Sequence, residues 1–205
     1  MPRPLFRAFQ AITGVILGLA VVYFLLRPES PTGWNGQDDY FLPDPIPAPS
    51  FQLTSQDRVR VGSDDFPGRV LAVFFGFTAC PDVCPLTLSN LSRAFQEMGE
   101  EGEAVQVLLI TVDPERDTPE RLARYLEPFH PSFLGLTGTE EEIREVADAF
   151  GAFFVKVGEG DQYTVDHTAR TYIIDTQGRI PLTFTVTATP EEMARDLTRL
   201  LRESP

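Results

Sequence analysis

The chain has 205 residues, with 17 Lys and Arg against 30 Asp and Glu, a formal net charge of −13, and two cysteines. That acidity argues against nucleic acid or anionic lipid as a charge-recognised partner, and it suits a solvated surface or a basic or metal-bearing partner.

Residues 1–7 carry Arg3 and Arg7 without an acidic residue and read as a short cytoplasmic N-terminus. Residues 8–26, AFQAITGVILGLAVVYFLL, hold no charge. At ~1.5 Å per residue such a helix just crosses a ~30 Å hydrocarbon core. A signal peptide has a shorter apolar region ending in small residues, whereas this one ends in Tyr23, Phe24, Leu25, Leu26 and Arg27, so an uncleaved transmembrane anchor is expected. Arg3 and Arg7 put the N-terminus in the cytoplasm and the rest of the chain on the outer, periplasmic face of a bacterial cytoplasmic membrane. Residues 27–50 are rich in proline and lack apolar periodicity, and are expected to form an extended tether, with Trp34, Tyr40 and Phe41 either touching the membrane interface or packing on the domain, the interface or a loop being favoured.

Residues 51–205 suffice for one globular domain with its own core. Phe51–Thr54 and Arg58–Val61 are expected to form a short hairpin. Val70–Phe77 is a continuous apolar run of the kind found in strands buried on both faces, giving a strand over Arg69–Phe77, and the helical spacing that follows predicts a helix over Cys84–Gly99. Val105–Val112 is a second such strand, completing a βαβ unit. Thr118-Pro119-Glu120 opens a helix reaching Pro128, Ser132–Leu136 is a short strand, and Thr139 with Glu142 forms a capping box for a helix to Phe150. Strands Ala152–Val157, Arg170–Asp175 and Ile180–Thr185 follow, the last two joined as a hairpin, and Thr189-Pro190-Glu191-Glu192 opens the final helix. The order predicts an α/β fold, a central mixed sheet flanked by helices.

Cys80 and Cys84 lie where the first buried strand gives way to its helix. A helix N-terminus favours thiolate over thiol, and residues four apart share a helical face, so the two sulfurs can meet on one ion or on each other. A purely structural disulfide would close a loop with three intervening residues and stabilise little. The flanking Pro81, Asp82 and Pro85 fit poorly with inert buried cysteines. Of the two histidines, His130 sits between prolines at a helix exit, where a capping or surface role is expected. His167 is placed in a loop before the strand Arg170–Asp175. Asp82 either tunes charge between the thiols or faces solvent. Asp113 either caps the Pro114 turn, the favoured role, or orients a partner. Asp166 either orients the His167 ring or starts a turn. The methionines, Met1, Met98 and Met193, form no Met-rich copper site.

Three blocks, GFTACPDVCPLTL at Gly76–Leu88, TVDPERDTP at Thr111–Pro119 and VDHTARTYIID at Val165–Asp175, resemble the signatures of the Sco/SenC family of copper-binding cytochrome c oxidase assembly proteins, and the anchor and tether match its layout. The resemblance implies a thioredoxin-like domain with copper, Cu(I) or Cu(II), held by Cys80, Cys84 and His167, with Asp82, Asp113 and Asp166 around them. It implies delivery of copper to the dinuclear centre in the copper-accepting subunit of cytochrome c oxidase, with another copper donor or a thioredoxin-like reductant as a further partner. The rival is a thiol-disulfide oxidoreductase in which Cys80 and Cys84 cycle and keep the oxidase cysteines reduced. Three intervening residues, and a histidine where thioredoxins usually carry a proline, weaken that rival. A copper-responsive redox sensor is a third class.

Overall fold

The computed structural model describes residues 40–160 and 163–203. The expected anchor at residues 8–26 and Trp34 lie outside the described residues. Among the described residues no helix is long and apolar enough to cross a membrane.

Among the described residues, ten strands and four α-helices follow one another: β1 (Phe41–Pro47), β2 (Gln52–Ser55), β3 (Arg60–Gly62), β4 (Val70–Gly76), α1 (Val83–Met98), β5 (Val105–Thr111), α2 (Pro119–Leu126), β6 (Leu134–Thr137), α3 (Glu140–Ala149), β7 (Phe154–Val157), β8 (Thr164–His167), β9 (Arg170–Ile174), β10 (Arg179–Thr185) and α4 (Pro190–Glu203). Eight strands form one mixed sheet in the order β1-β10-β9-β4-β5-β6-β2-β3, while β7 and β8 pair only with each other. β4 and β5 run parallel in unbroken register from Val70↔Val105 to Gly76↔Thr111, and β6 continues the parallel set. Every residue of β4 and β5 is buried, as expected of parallel strands covered on both faces, Gln106 and Thr111 included. The expected hairpin forms β2–β3 and joins the sheet through β6.

The helices start where their caps say. Thr118 Oγ1 accepts the Arg121 amide with Pro119 in the first turn, and Thr139 and Glu142 form the reciprocal capping box. α2 lies against β6 at Gly135, where a Cβ would come within 2.9 Å of Leu122 Cβ.

Two expectations fail at the N-terminal side. Phe41–Pro47, assigned above to the tether, is an edge strand antiparallel to β10. Pro43, Pro45 and Pro47 remove backbone donors, which disguises the strand in the sequence and makes its free edge a poor template for further pairing. Tyr40 and Phe41 pack on the domain rather than at an interface. The Tyr40 ring meets Phe184 edge-on at 5.4 Å, its hydroxyl donates to Glu192 at 3.1 Å, and the Arg199 guanidinium stacks 4.7 Å over Phe41.

Candidate metal centre

The centre is assembled from the ends of β4 and β8 and the first turn of α1. After Gly76, the buried Phe77 ends the apolar run, and its carbonyl accepts the Cys80 amide at 3.2 Å. Asp82 occupies the N-cap of α1 without making a side-chain cap bond, and its carbonyl accepts the Leu86 amide. Cys84 therefore falls in the first helical turn, facing inward and fully buried, while Cys80 stays half-buried on the loop. The Cys84 amide, an otherwise orphaned donor at the helix start, points at the Cys80 sulfur from 3.4 Å. Gly76 leaves room for this turn: a Cβ there would sit 3.1 Å from Cys84 Sγ and 2.7 Å from Phe74 Cε1.

His167 is not in a loop, as expected from the sequence, but is the last residue of β8, paired with Phe154. Its Nε2 lies 3.6 Å from Cys84 Sγ, and its Nδ1 lies 3.2 Å from the Thr168 carbonyl. A carbonyl only accepts, so Nδ1 carries the proton and the Nε2 lone pair is left for a metal ion. The ring stands edge-on between Phe77 at 5.8 Å and Phe74 at 6.2 Å.

Both buried donors are biased toward neutrality. Burial pushes the Cys84 thiol well above the usual thiol range, although a backbone hydrogen bond from Phe77 opposes it. The thiolate expected from the helix dipole is thus overridden by desolvation at Cys84. Burial lowers the His167 imidazole below its ordinary value, with the Thr168 carbonyl and the Asp166 charge opposing. A neutral imidazole is the form that binds metal.

Cys80, Cys84 and His167 bring one donor atom each to within 4.8 Å of one another, the only such group of three or more among the described residues. Metal bonds of about 2.3 Å to sulfur and about 2.0 Å to nitrogen put S and N roughly 3.5–3.8 Å apart at tetrahedral to trigonal angles. The Cys84–His167 separation of 3.6 Å fits that geometry. The group opens onto a pocket of about 370 Å³ lined by Pro81, Val83, Phe153 and Val155 among others.

The carboxylates take other places. Asp82 is exposed. Asp166 is exposed on β8, a strand residue rather than the start of a turn, and lines the same pocket as Cys80 and His167, where its charge opposes the effect of burial on the ring. Asp113 lies at the turn after β5, its backbone carbonyl accepting the Arg116 and Asp117 amides. Its fully buried carboxylate also pairs with Arg116 and accepts the Tyr163 hydroxyl at 2.6 Å. Arg116 in turn stacks 3.8 Å over the Tyr163 ring and donates to the Tyr163 carbonyl, so this cluster ties the β5–α2 loop to the ribbon that carries His167. His130 lies elsewhere, bonded to Ser132 and packed on Phe95 and Phe133.

Asp117 was not singled out from the sequence. Its carboxylate is fully buried and accepts the Thr78 amide at 2.9 Å, the Thr78 hydroxyl at 2.6 Å and the Thr111 hydroxyl at 2.7 Å, and it pairs with Arg121 at 3.7 Å. It anchors the start of the cysteine loop.

A sheet of this order, with its thiols where a helix leaves a central parallel strand, is thioredoxin-like. The SCO1/SenC family model matches residues 44–202, and the chain belongs to that family. It is similar to an SCO2-like protein of Rickettsia conorii, 35% identical over 188 residues that span 89% of this chain and 91% of the relative. Among solved structures, ScoI of Bradyrhizobium japonicum with copper bound is 41% identical, superposes with a TM-score of 0.69, and the match covers 76% of this chain and 99% of that one. BsSco, described as a Sco family cytochrome c oxidase assembly protein with a disulfide switch, is 26% identical, with a TM-score of 0.63 and coverage of 79% and 98%.

Proposed function

We propose that this chain is a copper carrier, anchored in the bacterial cytoplasmic membrane through residues 8–26, that binds one copper ion through Cys80, Cys84 and His167 on the outer face and delivers it to the dinuclear copper centre of cytochrome c oxidase. The observation that carries this reading is the convergence of two sulfurs and one imidazole nitrogen within 4.8 Å. Thiolates select Cu(I), and imidazole suits Cu(II), so the mixed set serves an ion that changes oxidation state. The similarity to a copper-bound ScoI and to an oxidase assembly protein supports the cargo and the partner.

Copper is the cargo, and the thiols must be reduced to take it. Binding converts protonated cysteines to thiolates and releases protons. Delivery proceeds by exchange: each incoming cysteine thiolate of the partner forms one bond to copper as one bond to this chain breaks. His167 leaves first, because a released imidazole is neutral whereas a released Cys84 thiolate would be a buried, uncompensated anion. The partner approaches from the Cys80 side, where Phe153 and Val155 are 64% and 51% exposed, a rim suited to cysteines set in an apolar surface.

A second reading, a reductant that keeps the oxidase cysteines as thiols, is favoured by the free cysteines and the short approach of Cys84 N to Cys80 Sγ. In that cycle the Cys80–Cys84 dithiol is oxidised to a disulfide as the partner's disulfide takes up two electrons and two protons. Anaerobic copper titration of the reduced full-length chain, with spectra in both oxidation states, followed by mixing with the apo oxidase subunit, separates the two. One copper per chain that moves to the subunit is the expected result. Absence of copper binding alongside turnover of a disulfide substrate overturns it in favour of the reductant.

A further inference from the structure

β7 and β8 pair only with each other, so no register with the main sheet fixes where His167 stands beside Cys84. The His167 end of β8 is held by the chain itself, which runs through Thr168 and Ala169 into β9. A strand fixed at one end still pivots, and at ~3.3 Å per residue β8 makes a lever of roughly 13 Å. Its other end is held by side chains. Tyr163, the residue before β8, donates its hydroxyl to Asp113 Oδ1 at 2.6 Å. Asp113 is fully buried, and its second carboxylate oxygen is taken by Arg116 Nε. The Arg116 guanidinium also lies 3.8 Å over the Tyr163 ring and donates to the Tyr163 carbonyl at 3.0 Å.

The same turn reaches the sulfur half of the site. The Asp113 carbonyl accepts the Asp117 amide at 2.9 Å, and the Asp117 carboxylate accepts the amide and hydroxyl of Thr78, two residues before Cys80. Residues 113–117 therefore put one buried carboxylate on each half. A further tie from the ribbon, Lys156 to Glu115, has Glu115 67% exposed and contributes little. Phenylalanine at 163 would keep the ring beneath the Arg116 guanidinium and occupy nearly the same volume. The hydroxyl bond to a buried charged acceptor is what tyrosine adds.

We propose that the turn 113–117 is a bracket that sets the spacing between the two halves of the metal site, and that Tyr163 is the positioning residue through which it holds His167 against the cysteines. The inference rests on Cys80, Cys84 and His167 being the copper ligands. Breaking the Tyr163–Asp113 bond frees the far end of β8 to pivot and carries the imidazole away from the sulfurs. Asp117 keeps the cysteine loop in place while this happens, so the loss falls on the imidazole alone.

The test compares the reduced full-length chain with Tyr163→Phe, His167→Ala and the double variant, by anaerobic Cu(I) titration against a competing chelator and by amide hydrogen exchange of the metal-free forms. Tyr163→Phe is expected to bind Cu(I) about tenfold more weakly, as loss of a group that supports a metal ligand typically does. Added to His167→Ala, the same change is expected to shift affinity by less than twofold, because the ligand it positions is gone. In the metal-free Tyr163→Phe protein the amides of β8 exchange severalfold faster while those of α1 keep their wild-type rates. Unchanged affinity, or unchanged exchange in β8, overturns the proposal. An equal loss of affinity in the His167→Ala background, or faster exchange across α1 as well, also overturns it, since either marks Tyr163 as a support of the whole domain. His167→Ala that binds Cu(I) as tightly as wild type overturns the ligand assignment, and this proposal with it.

Discussion

Cys84 and His167 stand 3.6 Å apart, yet the elements that carry them differ in kind. Cys84 rises from β4 and α1, where the strand is buried along its length and paired on both sides, to β5 and to β9. His167 ends a two-stranded ribbon whose β7 exposes Val155, Lys156 and Val157. An isolated hairpin is marginal in water, and this one is held by polar ties, Asp113 to Tyr163 and Lys156 to Glu115, together with burial of Phe154 and Val165. Elements with few buried apolar contacts open at lower free energy than core strands. The sulfur half of the site is therefore a floor built into the main sheet and the imidazole half a wall held by fewer buried contacts, the asymmetry that the proposed carrier, releasing its neutral ligand first, would use.

The sharpest way to break this comparison is to remove one donor from each half. Cys84→Ser is expected to abolish copper retention. His167→Ala leaves two soft thiolates and retains Cu(I) at reduced affinity but loses Cu(II), which depends on the imidazole. Competition titrations in the two oxidation states measure both. Full retention of both ions by His167→Ala would sink the three-ligand site, since the wall would then contribute nothing.

A change below the floor comes next. Asp117→Ala leaves the Thr78 amide and the Thr78 and Thr111 hydroxyls without their acceptor, while Arg121, 41% exposed, turns to water. The metal-free protein is expected to lose about 3 kcal/mol in urea denaturation, with copper affinity falling alongside because the cysteine loop loses its anchor. A loss under about 1 kcal/mol would mean the loop is held by packing alone.

Gly76→Ala is the smaller insult to the same floor. The added methyl meets Phe74 Cε1 at 2.7 Å and Leu109 Cδ1 and Cys84 Sγ at 3.1 Å, all in a packed core. Overpacking of this kind costs about 1–3 kcal/mol, read as a lowered Tm of the metal-free chain, and the displaced sulfur weakens Cu(I) binding as well. An unchanged Tm would show that the floor yields more readily than its burial implies.

The same asymmetry governs how legible the protein is in its sequence. The floor is written locally: the apolar run into Phe77, the two cysteines behind it and the capping boxes at Thr139 and Thr189 specify their elements over a few neighbouring residues, and all form. The wall is written faintly. Thr164–His167 offers only four residues of strand, two of them exposed, and becomes a strand because β7 lies beside it. Asp117, in a Pro-Glu-Arg-Asp stretch, has the composition of a solvated turn and is buried only once Thr78 and Thr111 close over it. β1 is hidden by its three prolines. What escaped the sequence is in each case a pairing that the segment's own residues do not signal, near in the chain for β8 and distant for β1.

The smallest effect tests the wall alone. The Phe153 side chain is 64% exposed at the mouth of the site, while its backbone does the structural work: its amide donates to Thr168 Oγ1 at 3.1 Å and its carbonyl accepts the Thr168 amide at 3.0 Å. Phe153→Ser keeps both backbone bonds and removes only the apolar face offered to a partner. Stability is expected to stay within about 0.5 kcal/mol of wild type, as for most surface substitutions. Copper affinity holds, because the three donors are untouched, and transfer to the apo oxidase subunit slows severalfold in stopped-flow mixing. If transfer keeps its wild-type rate, the partner reaches Cys80 without using the ribbon, and the exposed apolar residues of β7 need another explanation. If affinity falls with the rate, the ribbon is part of the floor after all, and the division between a sulfur half built into the main sheet and an imidazole half held by fewer buried contacts is wrong.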